Sequence, residues 1–526
     1  MEYLDTEVVV IGSGPCGAIV ANRLAQKGYD TTLVEQGDWV DFSNLQESIT
    51  NNPELSQEYL SANPNLRKWL CDDPVDDGES PIKPMIGNAV GGGSGWWSSH
   101  IPRFRPDDFR TNTIDGVGQD WPLTYADLAP YYDRIEELWG VASVIGDPSA
   151  DLQRKSPVFQ MPSIGTHGHR ISNAFDRLGW HWWPVDLVVG NLSLVEKESC
   201  NHIGPCDLGC QNRSHSNAKK FVEHAVKSGV RLLTNTKVMK LEIDKGDLVK
   251  NAVCHQRDGP LRLSAKNFIL AAGGMGTPRL LLLSACEGYP NGLANNSGFV
   301  GRNLMLHPYA NVDGRFTTPL GAWANHDMAG IISLQFQTSN ITNSSKRGFK
   351  LQLNPGPSPS EVARGIPSGR QLPWGADHLP SFTTYFDHIC GLTVCVEDLP
   401  EKENRITLSE KEIDKFGMPA AKWIYQLSEN SKLLLDFGIR KAKEVMIEAG
   451  AVEIFENRLK DQAGFHIMGT TGMGMDPMLS VTNPLGQCHD HKNLFVADSS
   501  VFVTASCLNP TSTAQALALR LVDSNF

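Results

Sequence analysis

No hydrophobic run in this 526-residue sequence is long enough to cross a bilayer. The most apolar stretch, residues 267–285, is broken by Gly273, Gly274, Pro278 and Arg279, whereas a span needs about 20 consecutive apolar residues. The opening Met1-Glu2-Tyr3-Leu4-Asp5 has neither the basic segment nor the apolar core of a secretion signal. Positive charge is also in deficit: 47 Lys and Arg face 59 Asp and Glu, for a net charge of −12. Nucleic-acid binding needs clustered Lys and Arg, so that partner class is excluded. The acidic balance favours a neutral or cationic substrate.

Paired cysteines are missing as well. The 11 cysteines are scattered and odd in number, which excludes a disulfide framework and fits a reducing, cytoplasmic setting. Metal-ligand spacing is absent too. Cys200, Cys206 and Cys210, with His202 nearby, are spaced x5 and x3, irregular for a zinc site. They are read as thiols of a glycine-rich turn, and no metal is expected. No internal repeat stands out.

The length exceeds what one core supports and predicts two domains. Residues 7–11 form a short apolar run bounded by glycine, the pattern of a buried parallel strand. A helix is predicted over 18–27 and a second strand over 31–35, a βαβ opening. The style returns at 231–244, which alternates as one strand, at 267–272, at 493–497, and in a helix over 511–522. Between residues 307 and 456 the texture changes to alternating segments (331–336, 349–353, 392–397, 405–408) separated by Gly/Pro/Ser loops, with a helix over 431–449. That pattern predicts an antiparallel sheet. The fold class is therefore α/β: a doubly wound nucleotide-binding domain with a second, antiparallel-sheet domain.

Gly12-Ser13-Gly14-Pro15-Cys16-Gly17 matches G-x-G-x-x-G in its required place, after a strand and opening a helix. Gly12 allows the tight turn, Gly14 lets backbone approach a pyrophosphate, and Gly17 permits close packing of helix on strand. Glu35 ends the second strand 18 residues after Gly17, where a carboxylate accepts hydrogen bonds from ribose hydroxyls. The motif does not by itself separate FAD from NAD.

Further along come Val90-Gly91-Gly92-Gly93-Ser94-Gly95-Trp96-Trp97, then Trp121-Pro122-Leu123-Thr124-Tyr125 leading into Tyr131-Tyr132-Asp133. After them come Ala271-Ala272-Gly273-Gly274 with Thr277-Pro278-Arg279-Leu280-Leu281, Val300-Gly301-Arg302-Asn303 with His307-Pro308, and Glu397-Asp398-Leu399-Pro400. Asn404-Arg405-Ile406-Thr407-Leu408, Asp414 with Phe416-Gly417, and Asn493-Leu494-Phe495-Val496-Ala497-Asp498 complete the set. In this order, over nearly the whole chain, they resemble the glucose-methanol-choline (GMC) oxidoreductase family. The nearest branch is that of pyranose oxidases, C-glycoside 3-oxidases and aminoglycoside 6'-dehydrogenases.

The resemblance implies FAD. Its expected contacts are Gly12, Gly14, Pro15, Gly17 and Glu35; Gly91, Gly92, Ser94 and Trp97; Val238; Ala272 and Gly273; and Asp498, Pro510 and Thr511. Some members attach FAD covalently through a histidine in the second glycine segment. Trp96 stands at that position here, and His100 is four residues out of register, so noncovalent FAD is expected. Residues 1–50, 80–120, 200–306 and 457–526 are assigned to the FAD-binding domain. Residues 121–199 and 307–456 are assigned to the substrate-binding domain, with lid and loop excursions.

His466, in Phe465-His466-Ile467-Met468-Gly469-Thr470, matches the segment that carries the family's active-site histidine. Asn509 follows 43 residues later, where the family places a second histidine or an asparagine. A neutral imidazole can take a hydroxyl proton near neutral pH, and a carboxamide can hold the substrate oxygen but cannot act as a base. Asn509 is also read as an N-cap and Pro510 as the first helical residue, so that the positive end of the last helix stabilises charge on the reduced cofactor. His307 is read as structural, beside a proline turn, and His489 carries the weaker claim of the remaining histidines. The Trp180-His181-Trp182-Trp183 run is read as lining the substrate entrance or as a hydrophobic plug or oligomer contact.

The expected activity is FAD-dependent oxidation of a sugar, glycoside or aminoglycoside hydroxyl to a carbonyl. The alternatives are an oxidase or dehydrogenase of aryl or aliphatic alcohols, a lyase with structural FAD, and a noncatalytic interaction protein. The expected partners are a small-molecule alcohol and an electron acceptor, oxygen or a quinone or dye, with no membrane insertion and the oligomeric state open.

Overall fold

A computed structural model describes residues 2–40, 61–67, 69, 71–150, 152–156, 159–188, 217–323, 330–338, 345–367 and 369–526. Cys200, Cys206, Cys210 and His202 lie outside these residues.

Three sheets organise the chain. The first contains β1 (Glu2–Ile11), β2 (Thr31–Val34), β5 (Arg231–Leu233), β6 (Lys237–Ile243), β7 (Val249–Gln256), β8 (Gly259–Leu270) and β16 (Leu494–Val496), in the order β5-β2-β1-β8-β7-β6 with β16 also on β8. The 12-residue strand β8 explains how distant stretches share one sheet. It runs parallel to β1 along one side, from Glu2↔Leu261 to Ile11↔Leu270. On its other side the first half takes β7 antiparallel and the last three residues take β16 parallel. Val8, Val9, Val10, Phe268, Ile269 and Leu270 have no solvent exposure, which is why the C-terminal ends of both strands read as unbroken apolar runs. The helices α1 (Pro15–Gln26), α4 (Lys219–Lys227) and α7 (Thr511–Asn525) pack together beside this sheet.

The stretch 231–244, read as one strand, is two. β5 pairs with β2, and β6 pairs with β7. Asn235 takes a left-handed φ of 50° between them, a conformation that asparagine tolerates and that breaks an extended strand.

The second sheet has the order β15-β9-β12-β11-β10-β4 and is antiparallel throughout. Its strands are β4 (Trp183–Pro184), β9 (Tyr309–Arg315), β10 (Ile331–Ser333), β11 (Phe349–Asn354), β12 (Ile389–Val396) and β15 (Glu453–Asn457). Ala310, Val312, Phe349, Leu351, Leu392 and Val394 form one face and pack with α3 (Gly165–Leu178) and α6 (Glu429–Glu448). The alternate residues form the other face in cross-strand rows: Tyr309, Cys395 and Lys350, then Asn311, Thr393 and Gln352, then Asp313, Gly391 and Asn354. The apolar face anchors the sheet, and the period-2 alternation leaves a polar face for the site.

A third, three-stranded sheet pairs β13 (Arg405–Ile413) with β14 (Pro419–Ile424), and β14 with β3 (Val75–Glu79). The predicted strand at 405–408 thus lies here and not in the second sheet. Within residues 121–199, α2 (Tyr125–Trp139) packs on α7, whereas α3 and β4 join the second sheet. Residues 121–139 pin the C-terminal part of the chain. Trp121 Nε1 donates to Thr504 Oγ1 at 2.6 Å, Trp139 Nε1 donates to Gln515 at 2.8 Å, and Tyr132 pairs with Thr513 at 2.7 Å.

Among the described residues no helix is long and apolar enough to cross a membrane.

Candidate active site

A cavity of about 590 Å³ runs from the end of β1 to the polar face of the second sheet. It brings together Gly12, Gly14, Pro15, Glu35, Gly92, Ser94, Trp97, Val238, Ala272, Gly273, Asp498, Pro510 and Thr511, and at its other side His466 and Asn509. Two predicted residues, Gly17 and Gly91, stand behind the wall. A Cβ on Gly17 would lie 1.9 Å from Gly12 O, and one on Gly12, whose φ is 101°, would lie 2.4 Å from Ala271 O. These two positions hold the turn against the neighbouring strand. Gly91 accepts from Ser94 Oγ at 2.6 Å and shapes the second glycine loop.

Gly14 behaves differently. A Cβ there would meet only Gly92 Cα, at 3.9 Å, so its hydrogen serves the space beside it and not the protein's own packing. Two glycine backbones facing a cavity at the start of a helix form a cradle for a pyrophosphate. The residues therefore fit a bound dinucleotide.

Glu35 is buried. Its Oε2 accepts from Ser13 N at 2.9 Å and Ser13 Oγ at 2.8 Å, and its Oε1 from Gly37 N at 3.1 Å. Burial raises its pKa against these bonds. Asp498 Oδ2 accepts from Gly273 N at 2.9 Å and Thr277 Oγ1 at 2.6 Å, and its Oδ1 from Ser500 N at 2.9 Å. It ties β16 to the start of α5 (Gly273–Leu283). Trp97 packs on Trp139 with ring centres 5.2 Å apart, so it both lines the cavity and supports α2.

The histidines form a chain whose protons can be placed by elimination. His307 Nε2 lies 2.8 Å from Ser506 O, and its Nδ1 lies 2.8 Å from His466 Nδ1. A carbonyl only accepts, so His307 Nε2 carries the proton and His307 Nδ1 is bare. His466 Nδ1 must then donate to it, which leaves His466 Nε2 as a lone-pair nitrogen with no partner among the described residues. Tyr309 Oη, 3.0 Å from the same Nδ1, pairs onward with the Cys395 thiol. Burial, with His307, Lys350 and His100 opposing further positive charge, holds the His466 pKa well below the ordinary value. Burial, with Lys350, brings His307 down to about 3. His307 is therefore more than the structural residue expected from sequence: it selects the tautomer of His466.

Asn509 does not cap the last helix. Pro510 occupies the cap position without a side-chain bond, and Asn509 Oδ1 instead accepts from Lys350 Nζ at 2.5 Å. The buried lysine on β11 competes successfully for that oxygen. Ser506, three residues earlier, adopts a left-handed φ of 56°. Its hydroxyl is held by Asp108 at 2.8 Å and its carbonyl by His307. Asp108 in turn shares the buried Arg347 with Asp115 and Glu397.

Sequence reasoning missed Lys350, Tyr309 and the polar wall of Gln352, Asn354 and Thr393. The alternation of β9, β11 and β12 was the available signal, since their polar members fall on one face. It also missed the charge cluster at the other end of the cavity, where Lys237 and Arg279 share Asp73 and Asp414 at 2.5–2.9 Å. The run at 180–183 stays outside the cavity. Trp182 Nε1 donates to Asp176, Trp183 Nε1 to Val144 O, and Trp180 packs on Phe336. His489 pairs with Ser480 away from the site, whereas His100 is on the cavity wall.

His466 is held as a neutral imidazole, so its protonation lies well below pH 6.5, and with His466 read as the base the acid limb of the rate lies there too. The rate of cofactor reduction by substrate is expected to be flat from neutrality down to about pH 5. Stopped-flow measurement across that range checks it, and a fall centred near 6.5 would contradict the assignment. Stability follows the same sign. The unfolded chain takes protons on these histidines below about pH 6.5. The contribution present above that pH is lost as the pH falls through it towards about 3, the folded value for His307.

The comparisons agree with this geometry. The sequence profile of the GMC oxidoreductase family matches residues 8–309 with its N-terminal part and 400–518 with its C-terminal part. A 2-methyl-1,2-propanediol dehydrogenase of Mycolicibacterium austroafricanum is 34% identical over 99% of this chain and 95% of its own. A paromamine 6'-oxidase of Streptomyces fradiae is 27% identical over 98% of this chain and 90% of its own. Among solved structures, a pyridoxine 4-oxidase from Mesorbium loti superposes with a TM-score of 0.65 at 15% identity, covering 99% of both chains, a likeness of fold.

Proposed function

This chain belongs to the GMC oxidoreductase family and oxidises an alcohol with FAD, and from that premise we propose that His466 is the base, Asn509 the ligand of the substrate oxygen, and a polyhydroxylated compound the substrate. The observation that carries the reading is the fixed tautomer: His466 Nδ1 is engaged by His307 at 2.8 Å, which leaves Nε2 as the proton acceptor. The glycine cradle of Gly12, Gly14 and Gly92, with Glu35, Val238 and Asp498, would hold the dinucleotide. Bound FAD supplies the hydride acceptor. His466 Nε2 removes the hydroxyl proton while Asn509 donates an amide N–H to the oxygen that gains negative charge. Trp96 in place of the attachment histidine supports noncovalent FAD, so acid precipitation should release all the flavin into the supernatant.

The domain division follows the earlier reading: residues 1–50, 80–120, 200–306 and 457–526 serve the cofactor, and 121–199 with 307–456 serve the substrate. Gln352, Asn354 and Thr393 on the cavity wall supply amide and hydroxyl groups suited to several hydroxyls of a sugar, glycoside or aminoglycoside. A second reading, a small aliphatic diol, is favoured by the 34% identical relative that bears a propanediol dehydrogenase name. Anaerobic mixing with sugars, glycosides, aminoglycosides and 1,2-diols separates the two by which class bleaches the flavin. Readmitted air then tests oxygen as the acceptor against a quinone or dye. Bleaching by none of them would move the search to aryl and simple aliphatic alcohols, and bleaching by no alcohol at all would favour the lyase reading.

A further inference from the structure

Lys350 stands where the proposed mechanism has so far assigned it nothing. It is on β11 with no solvent exposure, in the cross-strand row of Tyr309 and Cys395. Among the described residues its single hydrogen bond is to Asn509 Oδ1, and no carboxylate lies within ion-pair distance of its Nζ. The titratable groups that face it are His307 and His466 on one side and the Cys395 and Cys507 thiols on the other. Glu397 reaches those thiols and not the lysine. Burial lowers the Lys350 pKa against the pull of the two thiols, and holding an ammonium there without a carboxylate is costly, so the arrangement asks for a compensating role.

We propose that Lys350 is a positioning residue that makes Asn509 a pure donor toward the substrate oxygen and stabilises the negative charge that grows there. This rests on the His466–Asn509 reading above. An ammonium has donors only, so it claims the amide oxygen and leaves the Asn509 NH₂ as the end available to the cavity. Without that constraint the amide could present its oxygen to the substrate, where it would repel a developing alkoxide. The positive charge lies one amide behind the reacting oxygen, in surroundings that screen it poorly. The same charge opposes protonation of His466 and keeps the base neutral.

The test is Lys350→Met in the FAD-loaded enzyme, followed by anaerobic flavin reduction across pH. The limiting reduction rate constant is expected to fall about a hundredfold, as for loss of one oriented donor to a developing oxyanion. The acid limb of the rate profile is expected to move to higher pH. The melting temperature should hold or rise, because methionine relieves an uncompensated buried charge. Asn509→Asp serves as the second variant. It keeps a partner for Lys350 but cannot donate, and it is expected to lose rate to a similar extent. Lys350→Met that reduces within threefold of the parent at an unchanged acid limb overturns the proposal. So does a variant that melts lower and loses rate at every pH alike, the mark of a merely structural lysine. His466→Gln separates the two levels of the argument: if it bleaches normally the base assignment itself fails, whereas slow His466→Gln beside normal Lys350→Met removes only the lysine's role.

Discussion

His466→Gln is expected to purify yellow, with a melting temperature near that of the parent, and to be bleached by substrate at least about a hundredfold more slowly. The expectation rests on what glutamine keeps and what it loses. Its amide NH₂ can still donate to His307 Nδ1, 2.8 Å from the present Nδ1, so His307 keeps its bond to the Ser506 carbonyl and the packing against Tyr309 survives. What it lacks is a nitrogen lone pair, so no proton acceptor remains for the alcohol. The hydrogen bonds of His466 go to His307 and Tyr309 and not to the FAD-cradle residues, so cofactor content should be unchanged. Flavin-to-protein absorbance, a thermal melt and single-turnover bleaching together check the three parts. A variant that bleaches at the parent rate would show that some other group takes the proton; among the cavity-lining residues His100 would then be the first to replace.

The second large effect is expected at Gly17, and it is an effect on folding and cofactor retention. Gly17→Ala places a methyl group 1.9 Å from Gly12 O and 3.1 Å from Ala271 Cβ. The first obstacle is backbone in a turn that Gly12 holds at a φ of 101°, so it cannot yield as a side-chain tip would. Overpacking of this kind costs about 1–3 kcal/mol or more, and here α1 must move away from β1 and β8 together. The expected product is colourless or insoluble protein. Gly14→Ala is the informative contrast. Its new Cβ meets nothing in the protein nearer than Gly92 Cα at 3.9 Å, so the chain should fold normally while FAD is held weakly. Folded, flavin-poor Gly14→Ala beside unfolded Gly17→Ala would confirm that one glycine serves the ligand and the other the packing. Equal flavin content in both variants and the parent would contradict it.

The two effects show how differently the parts of this protein are written into its sequence. The glycine fingerprint is legible because each glycine answers a local requirement: a turn, a close approach, a helix seated on a strand. The buried parallel ends of β1 and β8, residues 8–11 and 268–270, are legible because burial on both faces leaves an unbroken apolar run. His466 and Asn509 came from a likeness to known proteins over nearly the whole chain, not from spacing, since a single histidine or asparagine carries no local signal. The misreadings have local causes. The stretch 231–244 alternates in hydrophobicity but contains Asn235 in a left-handed conformation, and the pattern rules count side chains, not φ. Asn509 before a proline at a helix start has every local mark of a cap, and it lost that role to a lysine 159 residues away.

The sequence by itself determined the fold class, the place of the dinucleotide and the identity of the two residues proposed to act on the alcohol. Only the tertiary structure decided which atom of each is free to act. That choice belongs to His307 and Lys350, one just before β9 and one on β11. They reach the pair because an antiparallel sheet sets alternate residues of neighbouring strands side by side on one face. Tautomers and amide orientations are set by what the opposite atom touches, and such contacts form between residues that no local pattern links.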